Sequence, residues 1–143
     1  MAEEQPKEKT GPIYRSLLAR NIKAFLDVKG QHINPEATPE YMTNGAVMLK
    51  KTYGADLAAY MCRQDDTKRF NRWVKGLDLP QAYEAVGLLA SIEVTEILLG
   101  KFVPTRAKEW MLTPCSYILD SLPMDFIRED PDLVRRAALQ IFL

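Results

Sequence analysis

Histidine is almost missing from this chain: His32 is the only one, and the two cysteines, Cys62 and Cys115, stand alone without CxxC spacing. Too few ligands remain for a zinc centre, and a Cys–His nucleophile pair has little to draw on. No cofactor or metal is expected, and no enzyme. The lone thiols suit a free, reduced state in a reducing compartment. Net charge is missing too, with 19 Lys and Arg against 19 Asp and Glu, so no global field draws nucleic acid or a membrane surface. No apolar run approaches the ~20 residues that span a bilayer. Met1 to Thr10 is charged, without the apolar stretch of a secretory leader. A cytoplasmic location and no membrane contact are the resulting expectation. There is no glycine-rich phosphate loop, no internal repeat and no strand-like alternation.

What is present is helical punctuation. The 143 residues, 47% hydrophobic and 27% charged, suit one domain with its own core. Residues 1–11 cannot bury anything and read as a disordered tail. Ile13, Leu17, Leu18, Ile22, Phe25 and Leu26 recur at helical steps and predict a first helix from Pro12 to Gly30. Thr38-Pro39 opens a second, with threonine as cap and proline at the first helical position. That helix runs to Tyr53-Gly54, with Gly45 as a weak point inside it. A short helix over Asp56–Met61, a turn over Arg63–Asp66 and a helix over Thr67–Lys75 ended by Gly76 follow. Pro80 is expected to start the longest helix, to about Leu99, in which Gly87 permits a close helix approach. Its Glu84, Glu93 and Glu96 are read as a solvated or interfacial face. Short helices near Thr105–Leu112, at Leu122–Ile127 and after Asp130-Pro131 complete the chain, the last with Arg135 and Arg136 on its wet side. The fold class is all-α: a multi-helical domain with a helix-turn-helix-like unit within residues 12–79 and a bundle of short helices within 80–143.

The charge is locally segregated. From Lys50 to Lys75 seven basic residues oppose three acids, and from Gly76 onward six oppose ten. Arg63, Lys68, Arg69, Arg72 and Lys75 crowd around Phe70 and Trp73, the footprint of a helix that packs by one side and offers cations on the other. They are the candidate phosphate contacts, and Asn71 is the candidate for a base edge, since its amide pairs with adenine. The order of helix, turn, basic helix and glycine is that of a helix-turn-helix. The turn is long, however, and holds Asp65 and Asp66, which repel phosphate. A helical hairpin that does not read DNA is the competing account. Trp73 and Trp110 are expected in the core. Leu139, Phe142 and Leu143 are candidates for a dimer or partner contact, with intramolecular core as the alternative.

The order Arg72-Trp73, Gly76, Pro80, a leucine-rich helix ending at Leu98-Leu99-Gly100, then Phe102, Ala107, Trp110-Met111-Leu112-Thr113-Pro114, Leu119, Pro123-Met124-Asp125-Phe126, Asp130-Pro131 and Val134 resembles the Xre/MbcA/ParS class of antitoxins. The resemblance covers roughly Leu57 to Phe142. It implies an Xre-like helix-turn-helix followed by a toxin-binding domain. By that likeness the chain is a homodimeric DNA-binding regulator that represses its own operon and neutralises a cognate, NAD-consuming toxin of the RES or related ADP-ribosyl type. Where the family carries a glycine-rich turn before Pro123, this chain has Tyr117-Ile118-Leu119-Asp120-Ser121, and the segment after the last helix is short. The alternative is a non-enzymatic protein-binding adaptor or inhibitor that has lost DNA binding.

Overall fold

In the computed structural model residues 38–143 are described; the tail over 1–11 and the helix expected from Pro12 to Gly30 lie outside them. Seven α-helices and no strands make up the described part, an all-α single domain. Helix α1 spans Pro39–Tyr53, α2 Ala55–Met61, α3 Lys68–Val74, α4 Ala82–Leu99, α5 Pro104–Met111, α6 Pro123–Phe126 and α7 Pro131–Leu139. Short 3-10 turns at Ser116–Ile118 and Gln140–Phe142 fill the C-terminal half.

The boundaries follow the punctuation. Thr38 caps α1 by accepting the Tyr41 amide at 3.0 Å, and Asp130 caps α7 by accepting from Leu133 at 3.1 Å, each with proline next in line. Gly54 breaks α1 from α2 with φ 88°. The expected start of α4 at Pro80 shifts to Ala82, because the Glu84 carboxylate reaches back to the Gln81 amide at 2.7 Å and fixes the first turn there.

Helix α4 is the axis of the molecule and packs against α1, α2, α5 and α7. Every residue from Glu84 to Thr95 is buried, so this helix has no wet face. Two glycines let neighbours close on it. A Cβ at Gly45 would collide with the Ile92 side chain, and one at Gly87 would stand 3.0 Å from the Cys62 carbonyl oxygen. Gly45 is therefore a contact point between α1 and α4 and not a weak point in α1. The shared core takes Leu49 and Tyr53 from α1, Phe70 and Trp73 from α3, Leu88, Ile92 and Leu98 from α4, and Ile118, Ile127 and Val134 from the C-terminal half. Trp110, expected in this core, is only partly buried and packs on its rim.

The expected solvated face of α4 is overturned. Glu84 and Glu93 are buried and Glu96 is half-buried, because partners close over α4 from all sides. Burial pushes the Glu93 carboxyl up to about 9 against the pull of Arg135, and Glu96 up to about 8 although the Tyr41 hydroxyl donates to it at 3.0 Å. Arg135 is not on a wet side either. It is buried against α4, 3.9 Å from Glu93, and bonds Asp132 at 2.8 Å. Arg136 is exposed, as expected.

Candidate functional site

The basic segment is built around two buried rings. Phe70 and Trp73 lie edge to face, 6.2 Å between centroids, and point into the core. Their spacing rotates Lys68, Arg72 and Lys75 outward, and all three are exposed. The other three candidates for DNA contact are placed differently. Arg69 is a structural clamp: Nε and Nη2 grip the Glu84 carboxylate at 2.6 and 2.8 Å, while Nη1 bonds Asp78 at 3.0 Å. This two-pronged contact ties α3 to the first turn of α4. Burial alone would raise the Glu84 carboxyl, but the Arg69 guanidinium and the Gln81 amide hold it below the usual carboxylate range. Asn71 is half-buried with its Oδ1 enclosed and without a hydrogen-bond partner among the described residues. Arg63 sits in the preceding turn, where its Nε donates to the Arg128 carbonyl at 3.1 Å.

That turn runs over six residues, Cys62 to Thr67, between α2 and α3. Asp65 and Asp66 are exposed in it, and Asp66 accepts the Lys68 amide at 2.9 Å. Two exposed carboxylates thus immediately precede the helix that carries the exposed lysine. Arg72 has a carboxylate at its side as well, Asp78 at 3.6 Å.

The second candidate surface is the C-terminal half. Of ten large apolar side chains exposed among the described residues, seven fall here: Val103, Leu112, Tyr117, Leu119, Leu139, Phe142 and Leu143. Leu139 is the least exposed of the three candidates, at 36%, while Phe142 is half open and Leu143 is 95% exposed. Phe142 is also anchored. Lys101 lies 5.9 Å from its ring and donates to the Ile141 carbonyl at 2.6 Å, which folds the segment back over the end of α4. One side of Phe142 is packed and the other faces out.

The residue types before Pro123 gave no sign of the unusual backbone found there. Leu119 and Asp120 both have φ 61°, the left-handed conformation that glycine adopts freely and leucine does not. The Cys115 amide donates to the Ser121 carbonyl at 3.0 Å, and the Asp120 amide to the Cys115 carbonyl at 2.9 Å. These bonds close the loop and hold Leu119 outward, 87% exposed. Cys62 is fully buried, and burial pushes its thiol up to about 12, out of reach of a thiolate role. The described residues hold no group of His, Cys, Asp and Glu fit to bind a metal ion, and no described helix is long and apolar enough to cross a membrane. Compared with family models, with curated proteins and with solved structures, the chain finds no match.

Proposed function

We propose that this chain is a non-catalytic, protein-binding helical module of the antitoxin kind, which holds a cognate toxin against its C-terminal half. The observation that carries the reading is the Leu119–Asp120 turn. Two successive residues take the left-handed conformation that glycine adopts freely, in the segment where, by the likeness, a glycine-rich turn is expected. The same turn presents an open leucine, one of seven large apolar side chains exposed in the C-terminal half of the described residues, and exposed apolar surface is what a protein partner covers. By the likeness the toxin consumes NAD. The test is to co-express the chain with the product of the gene beside its own. A co-eluting complex and a preserved cellular NAD pool are expected; no complex, with NAD unaffected by the neighbour alone, overturns the reading.

Operator binding is the second reading, favoured by Lys68, Arg72 and Lys75, which are exposed on a helix that carries no acid. It calls for a dimer that presents two such helices. The Lys68→Glu, Arg72→Glu, Lys75→Glu variant should abolish binding to the chain's own promoter DNA at low salt and leave its circular dichroism intact. Arg69 has no place in this test, because reversing it breaks the clamp on Glu84. Absence of any salt-dependent affinity in the unmodified protein leaves the adaptor account alone.

A further inference from the structure

Two arginines 65 residues apart in sequence are brought together at the end of α2. Arg63 has φ 66°, a conformation that costs an ordinary residue about 1–2 kcal/mol. Its Nε donates to the Arg128 carbonyl at 3.1 Å, and Arg128 Nη1 donates to the Tyr60 carbonyl at 3.0 Å. The Arg128 guanidinium stacks 4.3 Å from the Tyr60 ring centroid, and the Tyr60 hydroxyl donates to Asp125 at 2.6 Å. Both guanidiniums are thereby held in place with N–H groups to spare. Neither has a carboxylate at salt-bridge distance among the described residues. Burial and the adjacent Arg128 charge both work against the charged form of Arg63. Two like charges close enough to act on each other, neither with a carboxylate at salt-bridge distance, are relieved by an anion that reaches both.

We propose that Arg63 and Arg128 form a receptor for a single carboxylate, an Asp or Glu side chain of a protein partner. A guanidinium fork matches a carboxylate in plane and spacing, and here its rotamer freedom is already spent on the backbone bonds. The surroundings choose between anions. Asp65, Asp66, Asp125 and Glu129 are exposed on the same turn and on α6 and its exit. That acidic rim repels a polyanion such as DNA or an anionic membrane, yet admits one carboxylate on an otherwise uncharged segment. The site is built where the turn after α2 meets the exit of α6, and its test involves no toxin, so it stands or falls independently of the antitoxin reading.

The test uses the full 143-residue chain and the NMR signals of its arginine Nε–H groups. A short peptide with one glutamate among glycines is titrated in, and inorganic phosphate in parallel. The Arg63 and Arg128 signals should move together and saturate with the peptide, while that of Arg106, already paired with Glu109, stays still. Arg128→Gln should weaken peptide binding at least tenfold. Should it disturb folding, Arg63→Lys keeps the charge, removes the fork and should weaken binding similarly. No shift with the peptide, an equal shift at Arg106, or saturation by phosphate with the peptide silent would each overturn the proposal.

Discussion

At the scale of the residue, the consequential side chains are polar groups in dry places. Glu93 is buried, and neither of its oxygens has a hydrogen-bond partner among the described residues. Its carboxyl is raised to about 9, mainly by burial, with Arg135 pulling down and Asp132 and Glu96 pushing up. In the unfolded chain a glutamate titrates near ~4.3. The native state therefore holds a proton that the unfolded state releases, and this contribution to stability is full below pH ~4 and lost as pH rises towards about 9. Glu93→Gln should remove that loss. Its melting temperature should exceed that of the unmodified protein by a few degrees at pH ~8.5, with little gain at pH ~5; equal gains at both pH values would refute the assignment. Trp73 is the opposite case, an aromatic whose place could be read directly from its spacing with Phe70. Trp73→Ala should cost about 3–5 kcal/mol in denaturant unfolding. The glutamates could not be read that way. Periodicity locates a wet face only when a helix has one, and α4 has none.

At the scale of the element, the helices and their ends were legible wherever a capping residue and a proline stand together, as at Thr38-Pro39 and Asp130-Pro131. Pairings between distant elements were not. The Arg69 clamp on Glu84, the Arg63–Arg128 contact and the approach of α1 to α4 at Gly45 all depend on how helices stack, which local sequence does not encode. The 115–121 turn lies between these cases. Its strain was invisible at Leu119, which carries none of the residue chemistry that marks a left-handed turn, whereas Asp120 is of a type that tolerates that conformation. Leu119→Gly should relieve about 1–2 kcal/mol of backbone strain and return part of it as unfolded-state entropy, about 0.5–1 kcal/mol. A small net stabilisation is expected, since Leu119 buries almost nothing. The same variant should bind the partner more weakly, as it removes an exposed apolar contact. A fall in stability would place the leucine in the fold and not in the interface.

At the scale of the molecule, one helix is wrapped on all sides and the two halves of the surface divide the remaining work. The N-terminal half of the described chain shows cations on α3, with exposed acids in the turn before it; the C-terminal half shows apolar side chains on and between short, proline-started helices. Such helices hold their surface rigid, so little entropy remains to be lost on binding. That division supports the proposed protein partner over the proposed operator DNA. The most direct measurement is the dissociation constant of the complex with the neighbouring gene product for the Phe142→Ser, Leu143→Ser double variant, with thermal melting followed alongside. A protein-binding C-terminal half predicts affinity weakened tenfold or more with the melting temperature nearly unchanged, because Leu143 is open and Phe142 is half open. Unchanged affinity, with or without a fall in melting temperature, would contradict it.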